Sequence, residues 1–235
     1  MKTSNRLRKI YEQINKTTSV ADIGTDHGYV PILLLNNNIS PFVVMSDISD
    51  KSLDKAVKNF NLYCRDKEAY FRVGNGLNTL KPYEVDEIII AGMGGSLIID
   101  ILSEDMDKTY SFKRFILQPR NNSGNLRRWL SLNGFEIEKE VLAKEGKFVS
   151  EIIVASPKKR NEREALGFIK DTDDIRWEFP KTLKNCDRNL LKEKIEWKKN
   201  SILEEISNLK KSKTDKNELI NKLNRDFEYL NSLMI

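Results

Sequence analysis

The chain has 235 residues, 39% hydrophobic and 32% charged, with a net charge of +5 and a pI near 9.0. That is enough apolar material for one large core, or one core with an appendage, and the modest basic excess is compatible with nucleic acid. No run approaches the roughly 20 apolar residues that cross a bilayer, two distant cysteines cannot build a thiolate zinc cluster, and the lone His27 excludes any site needing two imidazoles.

The opening stretch MKTSNRLRKIYEQINK carries no signal-peptide apolar run, so a cytoplasmic location is expected. Short β-rich runs then follow at 19–23, 42–47, 69–73, 87–91, 114–117, 135–141 and 148–155. Helical patterns fill the first four gaps, which predicts a parallel sheet with helices on both faces. The last two runs are separated only by LAKEGK, too short for a crossover helix, so they read as an antiparallel hairpin. A plain dinucleotide-binding fold would instead keep its last strands parallel.

From Pro157 onward no strand-like run remains, which divides the chain into 1–156 and 157–235. The stretch 181–211 is strongly helical, with Leu191, Ile195, Ile202, Ile206 and Leu209 along one face. A second stripe comprises Leu219, Leu223, Phe227, Leu230 and Met234. Between them KKSKTDKN is polar, and Thr214 or Asp215 is placed to cap a second helix. The economical reading is an antiparallel helical, coiled-coil hairpin. It holds most of the excess charge, a net of +4.

The first strand runs into Asp22-Ile23-Gly24-Thr25-Asp26-His27-Gly28-Tyr29. In a doubly wound sheet, ligands bind off the carboxyl ends of the strands, where glycine lets backbone approach closely. This turn lacks the GxGxxG fingerprint, and Asp22 and Asp26 would repel a pyrophosphate. A cationic or neutral ligand fits better, and S-adenosylmethionine carries both an ammonium and a sulfonium. The second strand ends at Asp47, whose carboxylate can accept from both ribose hydroxyls of an adenosine. The third leads into Gly74-Asn75-Gly76, the fourth into Gly92-Met93-Gly94-Gly95, and the fifth into Gln118-Pro119-Arg120. All five signals map to one rim of one sheet.

DIGTDHGYVP, the strand-end Asp47, GNGL, IIIAGMGG and ILQP, in this order, resemble the TrmK family. These are bacterial class I S-adenosylmethionine-dependent enzymes that methylate N1 of adenine 22 in the D-arm of tRNA. The family also carries a C-terminal helical coiled-coil domain, so the resemblance spans essentially the whole chain. It implies an α/β Rossmann-like methyltransferase sheet followed by that hairpin, with S-adenosylmethionine as cofactor, tRNA as partner and no metal. Two positions depart from the pattern: Asn75 stands where the family usually has Asp, and Arg120 where it usually has Asn.

Carried over residue by residue, the resemblance sets the cofactor against Gly24, Asp47, Ile48, Asn75 and Gly76. Asp22, Asp26, His27, Gly92 and Gln118 line the same rim. Asp26 is the candidate carboxylate for charge developing on the target adenine, and Tyr29 the candidate stacking ring. Arg6, Arg8, Lys9, Arg120, Arg127 and Arg128, with Lys2, are the expected phosphate contacts. Phe112 and Trp129 read as packing residues. A nicotinamide-dependent dehydrogenase, a methyltransferase for another RNA or base, and an RNA-binding module with a vestigial pocket are the rival readings.

Overall fold

The structure, a computed structural model, describes residues 1, 3–158, 174–211 and 216–234. The expected cap residues Thr214 and Asp215, and the expected contact Lys2, lie outside the described residues. Seven strands form one sheet: β1 (Val20–Ile23), β2 (Val43–Asp47), β3 (Tyr70–Val73), β4 (Glu87–Met93), β5 (Arg114–Pro119), β6 (Phe135–Glu145) and β7 (Phe148–Pro157). Their order is β3-β2-β1-β4-β5-β7-β6. The first five are mutually parallel, and β7 runs antiparallel to both β5 and β6. The alternation of strand and helix, broken by one short hairpin, thus produces the expected architecture.

Helices α2 (Tyr29–Asn36), α3 (Asp50–Tyr63), α4 (Gly95–Ser103), α5 (Met106–Thr109) and α6 (Ser123–Leu132) lie between strands, whereas the third gap, expected to be helical, holds only a 3-10 turn at Gly76–Thr79. A further helix, α1 (Asn5–Tyr11), precedes the sheet. Its Ser4 cap accepts from the Leu7 N–H, and Ile10 is fully buried. Nothing in the strand-and-gap pattern had marked it. The central strands are buried along their length, as a sheet covered on both faces requires. Alternate residues go to opposite faces. Ile88, Ile90, Phe115 and Leu117 pack with α4 and α6, while Ile89 and Ile116 pack with Ile10 and Leu34. Phe112 is buried in the first of these cores and Trp129 packs against it, both as expected.

The β6–β7 connection is tighter than LAKEGK suggests. Strand pairing continues to Glu145 and Phe148, leaving only Gly146 and Lys147 in the turn. Gly146 sits first in that turn at φ 60°, which suits glycine.

Beyond β7 the described segments are helical: α7 (Ile175–Glu178), a 3-10 turn at Lys181–Asn185, α8 (Arg188–Lys210) and α9 (Asn217–Ser232). The single helix expected from residue 181 is therefore interrupted, because Asp187 caps a new start by accepting from the Asn189 and Leu190 N–H groups. Leu191, Ile195, Ile202, Ile206, Leu223 and Leu230 are buried in a second core, floored by Leu142 of the hairpin. Leu219 departs from the expected stripe and is 38% exposed. The Lys184 ammonium reaches the Ser232 carbonyl, which brings the end of α9 back to the start of α8.

Candidate active site

The carboxyl ends of β1, β2 and β4 meet around the first turn. After Ile23 the backbone takes positive φ at Gly24 (74°), Asp26 (43°) and Gly28 (68°), and α2 starts at Tyr29. The Gly24 and Thr25 N–H groups donate to the Ser46 carbonyl at 2.8 and 2.9 Å, which anchors the turn on β2. A Cβ on Gly24 would lie 2.0 Å from the Met93 methyl, so the turns after β1 and β4 touch here. Glycine at 24 answers both a left-handed backbone and this close approach. Gly92, at φ 79°, sits at an irregularity in the β4–β5 pairing between Ala91 and Met93.

Asp22 is buried, and its Oδ2 accepts from the Thr25 hydroxyl at 2.7 Å. Burial, together with the negative charge of Asp47, raises its pKa to about 6, against the pull of the Thr25 bond. Among the described residues no lysine or arginine pairs with it. Asp47 accepts from the Ser49 N–H at 2.8 Å and, more weakly, from the Asp26 N–H at 3.4 Å. It too has no cationic partner among the described residues. Two acids with no counter-charge, one buried, leave the rim short of a cation.

Around them, Ile48 is 71% exposed beside Asp47, and Asn75 is exposed at the end of β3. Gly76 packs its backbone on Ile101 at φ 50°. An open apolar side chain, an amide and a close-lying glycine form a surface suited to a flat heterocycle. Asp26, the candidate carboxylate, is half exposed and has partners of its own. Its Oδ1 accepts from the Lys55 ammonium at 2.9 Å, and its Oδ2 lies 3.4 Å from His27 Nε2. The His27 and Tyr29 rings are stacked, with centroids 5.3 Å apart and planes 9° from parallel.

Three expected contacts are placed differently. Gln118 is buried, and its side-chain amide is taken up by partners within the protein. Its Oε1 accepts from Arg6 Nη1 at 2.8 Å and from the Gly92 N–H at 3.1 Å, while its Nε2 donates to the Pro119 carbonyl. It supports the Gly92 loop from behind. Arg6 is committed to Gln118 and to Glu145, at 2.8 Å each, and so is no free phosphate contact.

Arg127 is 1% exposed. Its guanidinium pairs with Glu140 at 2.6 Å and with Glu151, and also donates to the Trp177 and Glu178 carbonyls. It binds α6 to the hairpin and to α7, and cannot touch a polyanion. Arg8 and Arg120 are exposed, Arg128 is half-buried, and Lys9 pairs with Glu12 at 2.8 Å. Sequence reasoning missed Thr25, Lys55 and Met93. The glycine at 24 hinted that something lies close to it, but nothing local names the partner.

The family described as a methyltransferase domain matches residues 3–153. The chain is similar to the tRNA (adenine(22)-N(1))-methyltransferase of Bacillus subtilis, 34% identical over 155 residues, covering 66% of this chain and 65% of the relative. It is also similar to a putative tRNA methyltransferase of Mycoplasma genitalium, 35% identical over 60% of this chain and 63% of that protein. The matches thus span less than two thirds of the length of these relatives. Among solved structures it is similar to the B. subtilis m1A22 tRNA methyltransferase TrmK. The TM-score is 0.81 at 27% identity, covering 100% of this chain and 99% of that one. The matched span holds every residue of the rim built above, and the chain belongs to the methyltransferase-domain family.

Proposed function

We propose that this chain transfers a methyl group from S-adenosylmethionine to N1 of adenine 22 in the D-arm of tRNA. The observation that carries the reading is the pair Asp22 and Asp47, acids without counter-charge on the rim of a methyltransferase sheet. The residues present fit the cofactor. Asp22 offers its carboxylate to an ammonium, and Asp47 offers its own to two ribose hydroxyls. Ile48, Asn75 and Gly76 receive the adenine ring.

S-adenosylmethionine supplies a methyl group already activated on a sulfonium. Adenine N1 holds a lone pair at neutral pH, so the chain needs no strong base to create the nucleophile. Its task is to position the base and stabilise the positive charge that methylation leaves on it. Asp26 supplies that negative charge from the first turn, held in place by Lys55, and the Tyr29 ring, stacked on His27, offers a face to the base. Gly92 and Met93 bound the opposite side of the approach. An enzyme acting on a base in folded RNA meets it unpaired or extrudes it.

Arg8, Lys9, Arg120 and Arg128, together with the basic 157–235 region, hold the phosphate backbone. We assign 1–156 to cofactor binding and chemistry and 157–235 to a helical tRNA-holding domain. tRNA modification sets its place of work in the cytoplasm; no described helix is long and apolar enough to cross a membrane. Incubation with S-adenosylmethionine and unmodified tRNA, followed by nucleotide mapping by mass spectrometry, is the test. The expected product is 1-methyladenosine at position 22. Methylation of another position, or none, overturns the reading.

A further inference from the structure

The β6–β7 hairpin does more than close the sheet. In the antiparallel pairing of β5 with β7, Leu117 lies opposite Ile153, which sets Pro119 at the level of Glu151. Three further pairs continue beyond that level: Ala143 with Ser150, Lys144 with Val149, and Glu145 with Phe148. At about 3.3 Å per residue, the tip overshoots the strand ends by about 10 Å. Because β7 runs antiparallel to β5, this tip rises on the edge that carries the candidate active site. Two strand spacings, again about 10 Å, separate it laterally from the Gly92 column.

The turn itself, Gly146-Lys147, is ordinary, but the first residue of β7 after it is an exposed aromatic. Phe148 is 65% exposed, and the Lys147 ammonium lies 5.4 Å from its ring centroid. The one acid at the tip, Glu145, is neutralised by Arg6. Lys147 has no carboxylate partner among the described residues, so the end of the hairpin is an apolar ring beside an uncompensated positive charge.

The tip is also braced. The Asn5 side chain donates to the Lys144 carbonyl at 3.3 Å, and Lys144 pairs with Glu193 of α8. Arg6 links Glu145 to Gln118, and Gln118 accepts from the Gly92 N–H. An unbroken chain of side chains therefore fixes the tip relative to the glycine loop beside the target base.

We propose that the β6–β7 tip is an RNA contact: Phe148 stacks on an unpaired base near the target adenine, and Lys147 meets the adjoining phosphate. This rests on the tRNA methyltransferase reading. Single-stranded nucleic acid is held in this way by aromatic faces with flanking cations, and stacking tolerates any base. The Glu145–Arg6–Gln118 chain sets the distance between the stacked base and the target.

The test compares wild-type protein with Phe148→Ala, Phe148→Trp, Lys147→Gln and Tyr83→Ala. Tyr83 is a still more exposed aromatic, 82%, in the loop that leads into the start of β4, away from the strand ends that carry the site. Filter binding of unmodified tRNA across a salt series and methylation rates are the readouts. Phe148→Ala is expected to weaken tRNA binding roughly tenfold, the scale of losing one base-stacking ring. Phe148→Trp retains affinity, Lys147→Gln lowers the salt slope by about one contact, and Tyr83→Ala changes nothing. S-adenosylmethionine affinity stays constant throughout. Unchanged tRNA affinity in Phe148→Ala overturns the proposal, as does an equal loss in Phe148→Trp or Tyr83→Ala. Wild-type protein that binds tRNA without methylating it sinks the functional reading instead, while the Phe148 comparison still tests the tip. Wild-type protein that does not bind tRNA overturns both.

Discussion

Two clusters of buried acid in this chain have opposite electrostatic fates. At the rim, Asp22 is buried with a second carboxylate nearby, and its pKa rises to about 6. Under the helical appendage, Glu151 is equally buried, yet Arg127 and Lys194 overcome the cost of burial and hold its pKa at about 2. The Ser123 hydroxyl also donates to Glu151, and the Thr182 hydroxyl donates to Glu140, so this cluster is satisfied from every side. One acid has no counter-charge among the described residues, whereas the other has its cations built in. Burial alone therefore does not mark a binding site. What marks it is burial without compensation, at the strand ends where a ligand can arrive.

The largest expected effect comes from breaking the satisfied cluster. Arg127→Met leaves Glu140 with no cation and Glu151 with only Lys194, and removes two bonds to the α7 carbonyls. Removing one partner of a buried pair typically costs about 3–5 kcal/mol. Denaturant unfolding should show a loss of that size with little change in the salt dependence of tRNA binding. A loss below about 1 kcal/mol, with a shallower salt slope, would return Arg127 to the phosphate contacts.

The unsatisfied cluster predicts a pH dependence of the opposite sign. An acid whose folded pKa lies above its unfolded value binds more protons when folded, so stability falls as pH rises between the two values. For Asp22 that window runs from 3.8 to about 6. The shift is equivalent to roughly 3 kcal/mol if fully expressed. Glu151, Glu84 and Asp86, each held at about 2, act between there and their ordinary values of 4.5, 4.5 and 3.8, partly overlapping this window, and gain stability as pH rises. Subtracting the curve of Asp22→Asn from that of the ligand-free wild type removes their contribution. The difference should decline between about pH 4 and pH 6.5, then level off. A flat difference would mean that Asp22 titrates as an ordinary carboxylate. With S-adenosylmethionine present, the ammonium offsets the cost of ionising Asp22, so affinity should rise through the same window in wild type alone.

The comparison also shows what sequence carries and what it does not. The sheet was legible because strands and crossover helices have distinct periods, and because six residues cannot hold a crossover. Most of the rim was legible because its turns are written locally, by Gly24, Gly28, Gly76 and Gly92 with Asp22, Asp26 and Asp47. The charge partners were not. Asp26 meets Lys55 from 29 positions away, Arg6 meets Gln118 from 112, and Arg127 meets Glu151 from 24. Such pairs leave no periodic trace, so a basic residue in the sequence reads alike whether it faces phosphate or a buried acid. Arg127 and its neighbour Arg128 differ in burial only because α6 turns one of them toward the hairpin.

Asp26 lies between the two extremes, and it gives the smallest and sharpest test. Its carboxylate is half exposed and already paired with Lys55, unlike Asp22, and it contributes nothing to a core, unlike Glu151. Asp26→Asn should therefore leave stability within about 0.5 kcal/mol, as for exposed pairs. The positive φ of 43° at this position is tolerated by Asn as well as by Asp, so the turn keeps its shape. On the proposed reading, what changes is the negative charge facing the approach of the target base. Methyl transfer in a single turnover should slow about tenfold, with cofactor affinity unchanged. If Lys55 fully cancels the Asp26 charge, Asp26→Asn transfers methyl groups at the wild-type rate. Tyr29 and the Gly92 loop would then act through positioning alone. Lys55→Met separates these cases, because it frees the carboxylate: a faster single turnover than wild type assigns the charge to catalysis, and an unchanged rate assigns the Asp26–Lys55 pair to the architecture of the turn.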